Sequence, residues 1–124
     1  MKKVLIIDDS MTTRSILKRM MNELGFETFE ADNGLTAIGK LKEINNCQLA
    51  LVDWNMPEMN GLEFVKEVRK NNTYQEMKLI MVTTETEMSR VVDAITAGAN
   101  EYVMKPFTKD IISEKIKMTG LLTE

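Results

Sequence analysis

Five residues in this chain could do chemistry together: Asp8, Asp9, Asp53, Thr83 and Lys105. Each stands at the end of a short apolar run. Asp8 and Asp9 follow Val4 to Ile7, Asp53 follows Leu49 to Val52, Thr83 follows Leu79 to Val82, and Lys105 follows Tyr102 to Met104. Carboxylates gathered within a few ångströms repel one another by several kcal/mol per close pair at an effective dielectric of about 20. Such a cluster calls for a cation, and three hard oxygen donors suit Mg²⁺, which keeps several waters. A lysine ammonium at the same place can neutralise either the carboxylates or an incoming phosphoryl oxygen. A threonine hydroxyl there could hydrogen-bond an anion attached to Asp53. Taken singly, an Asp-Asp pair is a solvated turn or a helix cap, and a lysine before proline is an ordinary loop residue. Their joint placement carries the argument.

That placement depends on the elements around them. Five apolar runs are each followed by a helical pattern, the second run being the weaker Thr28 to Ala31. The first helix is expected over Met11 to Leu24, with Ile16, Met20 and Leu24 as its apolar stripe and Gly25 as its left-handed cap. Asn33-Gly34 breaks the chain before a stripe of Ile38, Leu41 and Ile44. Leu62, Val65 and Val68 mark the third helix. Met88, Val91, Val92 and Ile95 mark a fourth that stops at Gly98. Ile112 and Ile116 mark a fifth, with Thr108 as its N-cap. Alternating strands and helices imply right-handed crossovers, a parallel sheet and helices on both faces. Glu27-Thr28-Phe29-Glu30 alternates in polarity, which fits an edge strand. In a parallel sheet all strand carboxyl ends lie on one rim, so the five residues above converge there.

Composition excludes several function classes. With no histidine there is no Ser-His or Cys-His dyad and no histidine-ligated zinc. The single cysteine, Cys47, rules out an internal disulfide, fits a reducing cytoplasm and is expected to fill core space. A net charge of −3 gives no footprint for nucleic acid. No apolar run approaches the ~18 residues of a membrane span, and the start of the chain is too short in apolar residues for a signal peptide. No glycine-rich phosphate cradle is present, so a nucleotide is not expected. Of the eleven methionines, Met20, Met81 and Met104 fall on core-facing patterns. The 124 residues are expected to form one domain, 1–124.

The motifs Asp8-Asp9-Ser10, Asp53-Trp54-Asn55-Met56-Pro57, Val82-Thr83 and Lys105-Pro106-Phe107, with Tyr102 three residues before the lysine, resemble those of response-regulator receiver domains. Among these the chain is most similar to the stand-alone chemotaxis regulators of CheY type. The resemblance spans essentially the whole chain. It implies a flavodoxin-like, doubly wound five-stranded parallel sheet of order 2-1-3-4-5 flanked by five helices. It also implies roles: Asp53 as acceptor of a phosphoryl group from a partner histidine kinase, and Asp9 as direct Mg²⁺ ligand with Asp8 acting through water. The Asn55 carbonyl would complete the protein ligands, and Thr83 and Lys105 would engage the phosphoryl oxygens. Tyr102 would be the switch aromatic, while Asn55 and Glu85 would flank the hydrolytic water and tune phosphoryl lifetime.

The resemblance further implies a cytoplasmic, predominantly monomeric switch, with weak dimerisation as the alternative, and no nucleic-acid or membrane partner. A downstream protein would dock on the fourth helix, fifth strand and fifth helix, through Met88, Arg90, Val91, Tyr102, Lys109 and Ile111. Thr83 to Met88 is acidic where motor-binding relatives tend to carry lysines, which sets direct motor binding in question. No DNA-binding effector domain is expected after the final helix; the chain is either a single-domain regulator or a piece of a longer protein. Two other readings use similar parts. A Mg²⁺-dependent phosphatase or transferase would work through an aspartyl-phosphate, but typically needs an acid two residues after the nucleophile, where this chain has Asn55. A flavodoxin-like FMN carrier would meet the repelling pair Asp8 and Asp9. The expectation is therefore a phosphoacceptor switch rather than an enzyme.

Overall fold

The computed structural model describes residues 1–84 and 88–122. Five strands, β1 (Lys3–Ile7), β2 (Glu27–Ala31), β3 (Leu49–Val52), β4 (Lys78–Thr83) and β5 (Glu101–Met104), alternate with α1 (Met11–Glu23), α2 (Gly34–Glu43), α3 (Gly61–Arg69), α4 (Met88–Ala97) and α5 (Lys109–Met118). All strand pairs are parallel, in the order β2-β1-β3-β4-β5. The doubly wound sheet and its order agree with the sequence reading, and β2 is an edge strand as its alternation suggested.

The continuous apolar runs follow from burial on both sheet faces. Leu5, Ile7, Ala50, Val52, Leu79 and Met81 join Ala37, Leu41, Phe64, Val65 and Val68 under α2 and α3, with Ala94 of α4 on the same side. Val4, Ile6, Leu49, Leu51, Ile80, Val82 and Val103 face Leu17 and Met21 of α1 and Ile112 and Ile116 of α5. Adjacent residues of one strand therefore serve opposite cores.

The α1 stripe differs from the expected one, and that of α4 faces outward. In α1 the buried positions are Leu17 and Met21, whereas Ile16 is exposed and Met20 and Leu24 are only half-buried. The true stripe is displaced by one residue: Leu17 and Met21 fill the core under α1, and Arg14 and Lys18 accordingly lie against Glu30 on β2. In α4 only Ala94 is buried; Met88, Val92 and Ile95 are 72%, 53% and 45% exposed. Its apolar face looks outward, since the small Ala94 and half-buried Val91 and Ala97 suffice to seat it. Met104 is likewise exposed, while Met81 is fully buried and Cys47 packs half-buried against the α2–α3 core.

Helix starts are set by side-chain caps. Ser10, Asn33, Asn60 and Thr108 each accept a hydrogen bond from a first-turn amide. Asn33 and Asn60 form reciprocal boxes with Thr36 and Glu63. Asn33-Gly34 thus opens α2 as well as breaking the chain. Gly25 and Gly98 have φ of +93° and +123°, the left-handed geometry of helix C-terminal turns.

Gly61 is required for another reason. Its amide donates to the Trp54 carbonyl at 2.9 Å, and a Cβ there would overlap the Asp53 carbonyl oxygen. Gly61→Ala is expected to cost about 1–3 kcal/mol or more through backbone displacement, which lowers the melting temperature by on the order of 10 °C. Thermal unfolding followed by circular dichroism checks this, with Gly39→Ala as the control, because nothing lies within 4 Å of a Cβ at that mid-helix position.

Candidate functional site

The sheet carries its backbone hydrogen bonding one residue past the strand ends. The amide of Asp8 donates to the Ala31 carbonyl at 3.1 Å, that of Asp53 to Ile7 at 2.9 Å, and that of Lys105 to Thr83 at 2.9 Å. These bonds fix three side chains on one rim before any side-chain contact is counted. Oxygen atoms of Asp8, Asp9 and Asp53 lie within 4.8 Å of one another. Asp8 and Asp53 are buried at 1% and 6% exposure, and Asp9 is exposed. The expected convergence of the acid pair with Asp53 is therefore present in the structure.

Lys105 balances this charge. Its Nζ lies 2.9 Å from Asp8 Oδ2 and 3.6 Å from Asp53 Oδ1, with the side chain 19% exposed. The Lys105–Pro106 bond is cis. Asp8 Oδ1 accepts the Ser10 amide at 2.9 Å, so both of its oxygens are occupied by the protein. Asp53 is less well compensated. Burial raises its carboxyl above the usual carboxylate range, and the Asp8 charge adds to this. Lys105, the Thr83 hydroxyl and the Trp54 amide pull it back only in part. Thr83, fully buried at the end of β4, is thereby placed against Asp53.

The loop after Asp53 is held at several points. Gly61 closes it onto Asp53 and Trp54. The Met59 carbonyl accepts the Gly34 amide at 3.0 Å, and a Cβ on Gly34 would run into Met59. Glu58 takes a left-handed φ of +66°, and the Met59 amide donates to the Pro57 carbonyl at 2.7 Å around it. Asn55 is exposed within this braced turn, so its carbonyl belongs to a segment with a defined path. Trp54 is buried, with the Arg90 guanidinium 5.3 Å from its ring centroid. That cation–π contact ties the first turn of α4 to the residue after Asp53. Tyr102 is half-buried against the α2–α3 core, two residues before the end of β5. Glu85 lies outside the described residues.

Sequence reasoning overlooked Arg14. Its Nη1 donates to the Asp8 carbonyl at 2.7 Å and its Nε to Glu30 at 3.1 Å, and Lys18 reaches Glu30 at 3.6 Å. An arginine on the first turns of α1 gives no local signal of this. Its partners are six and sixteen residues away and meet only when β1 and β2 pair.

The pattern of the response regulator receiver domain matches residues 4–117. The chain is 44% identical over 117 residues to chemotaxis protein CheY1 of Helicobacter pylori strain J99, covering 94% of both chains. It is also 44% identical over 116 residues to the chemotaxis protein CheY homolog of Campylobacter jejuni, covering 93% of this chain and 89% of the relative. In three dimensions it is similar to Vibrio cholerae chemotaxis protein CheY4, with a TM-score of 0.89, 31% identity and coverage of 96% and 98%. The chain belongs to the response regulator receiver domain family of two-component signalling. Its relatives are of the chemotaxis type.

Because the Asp53 carboxyl is raised, the folded protein holds that proton more tightly than the unfolded chain does. Stability from this group is full below the ordinary carboxylate range and is lost as pH rises through the raised value. Without metal, Asp53→Asn should therefore melt a few degrees above the wild type at neutral pH, and the gap should close as pH falls through that window. Scanning calorimetry of both proteins across pH, in the presence of a chelator, measures it.

Proposed function

We propose that the chain is a phosphorylation switch in which Asp53 accepts a phosphoryl group from a histidine kinase and the modified state changes affinity for a protein partner. The observation that carries this reading is the buried Asp53 carboxylate, set beside Asp8, Asp9, Lys105 and Thr83 on one strand-end rim. Residues 1–124 would act as one receiver unit in the cytoplasm. Among the described residues, no helix is long and apolar enough to cross a membrane.

The donor set fits a hard divalent cation. Three carboxylates offer oxygens within 4.8 Å of one another, no histidine competes, and Asp9 and Asn55 are exposed. Asp9 and Asp53 would hold Mg²⁺ directly, the Asn55 carbonyl would add a third ligand and Asp8 would act through water. When bound, Mg²⁺ supplies charge neutralisation at the phosphoryl oxygens.

Asp53 Oδ attacks phosphorus in line as the bond from phosphorus to the imidazole nitrogen of the kinase breaks, and the nitrogen leaves with the electron pair. Lys105 lies within reach of both Asp8 and Asp53, so it can pass from the carboxylates to a phosphoryl oxygen. The Thr83 hydroxyl can exchange its bond to Asp53 for another phosphoryl oxygen. Such transfer needs positioning and charge neutralisation, not a general base, which suits a site without histidine. Tyr102 follows Thr83 as the switch aromatic, and Asn55 and Glu85 tune hydrolysis. Turnover is then limited to the protein's own phosphorylation and dephosphorylation.

Output would use the surface of α4, β5 and α5, acting by population shift. In support, Met88, Val92, Ile95, Met104 and Ile111 are all large apolar side chains exposed on those elements. Arg90 and Lys109 are exposed beside them, with Val91 and Tyr102 half-buried. A protein partner covering apolar side chains is the chemistry this face offers.

Acetyl phosphate with Mg²⁺ should add one phosphoryl group by intact mass, and Asp53→Asn should add none. An unmodified wild type, or a variant still modified, would falsify the reading. Millimolar Mg²⁺ should also raise the wild-type melting temperature by several degrees, and by clearly less in Asp9→Asn.

A further inference from the structure

We propose that Arg14, neutralised by Glu30, is a positioning residue for divalent-cation binding: it fixes the peptide that joins Asp8 to Asp9 without itself touching the ion. The inference rests on the Mg²⁺ reading of the carboxylate cluster. The Arg14 Nη1 bond to the Asp8 carbonyl is 2.7 Å, the shorter of its two contacts, and the side chain is only 15% exposed. A carbonyl held on one side orients the plane of the peptide that follows it. The Asp8 amide is already held by Ala31. Together these bonds fix the backbone from which the exposed Asp9 side chain approaches Asp8 and Asp53.

Charge explains why Glu30 belongs to the device. An unpaired guanidinium this close to the cluster would repel a divalent cation. Glu30 Oε1 takes the Arg14 Nε at 3.1 Å and is the penultimate residue of β2, so the neutralising charge comes from the sheet rather than from a loop. Lys18 reaches the second Glu30 oxygen at 3.6 Å and holds the carboxylate from the far side. The fork of arginine satisfies a carbonyl and a carboxylate at once, which a lysine cannot do with the same geometry.

The two roles of Arg14 have opposite signs, and that makes the proposal decidable. Charge alone predicts that deleting the cation tightens metal binding; positioning predicts that deletion weakens it. The full-length protein is titrated with Mn²⁺ as a hard-cation probe, the free ion being counted by electron paramagnetic resonance at fixed ionic strength. Arg14→Gln should weaken binding by on the order of 10-fold, the lower end of the effect of losing a residue that orients a metal ligand. Arg14→Lys should fall between it and the wild type. Glu30→Gln should weaken binding several-fold by leaving Arg14 uncompensated, and should cost less when introduced into Arg14→Gln, because the group it neutralises is gone. Thermal melts of the metal-free variants within a few degrees of the wild type separate positioning from general destabilisation. Arg14→Gln binding Mn²⁺ as tightly as the wild type, or more tightly, overturns the proposal, as does full additivity of the two substitutions. A wild type that binds no Mn²⁺ overturns the metal reading first and this proposal with it.

Discussion

Repulsion among Asp8, Asp9 and Asp53 is the constraint to which the rest of the rim answers. Two of the three carboxylates are almost fully buried, and desolvation raises the cost of keeping them charged. One cation, Lys105, stands between Asp8 and Asp53, and it arrives from β5 across the intervening β3 and β4. The asymmetry of its contacts matters. Lys105 is bonded to Asp8 and only near Asp53, so the better-compensated group is Asp8 and the group whose proton is favoured is Asp53. A carboxylate left electrostatically unfinished by its own protein is well suited to take up a metal ion or a covalent group that completes the balance.

Such a charge arrangement is held only if the backbone cannot relax away from it. Three loops supply that stiffness by different means. The acid-pair turn is held by Ser10, Ala31 and Arg14, the β3–α3 loop by close backbone contact at Gly61 and Gly34, and the Lys105 backbone by its bond to Thr83. The β3–α3 loop carries the largest share, because it sets both the Asp53 neighbour Trp54 and the Asn55 segment. Overlap with backbone atoms is what forbids a side chain at Gly61. That restriction is harder than a lost hydrogen bond, since no rotamer change can relieve it.

The strands were legible because their signal is local, whereas their order came from the resemblance to receiver domains. Four-residue apolar runs end in polar residues, and burial on both faces leaves no other reading for Leu49 to Val52. The rim chemistry was legible for the same reason: a parallel sheet places every strand end on one side, so Asp8, Asp53, Thr83 and Lys105 could be brought together without knowing a distance. What the sequence hid was rotation and pairing. The α1 stripe lies one residue from the expected one because Leu17 and Met21, not Ile16 and Met20, are buried in the core. The Arg14 and Lys18 contacts to Glu30 have partners brought together only by the sheet. Gly61 was visible as a turn residue, but its role depends on how closely the Asp53 carbonyl approaches.

The outward face of α4 is the more informative feature. Met88, Val91, Val92 and Ile95 do form a helical stripe, and the inference from amphipathicity to a buried face is usually sound. Here the helix is seated through Ala94 with help from Val91 and Ala97, and most of the larger apolar side chains point to solvent. A helix seated by small residues buries little area and so is weakly fixed to the sheet. Its first turn is joined to the β3–α3 loop through Arg90 over Trp54, the residue next to Asp53. The same helix therefore combines a shallow seat, a contact one residue from the charged site and an exposed apolar surface. In the proposed switch this is where a change of charge at Asp53 has the least packing energy to overcome before it alters what a partner sees.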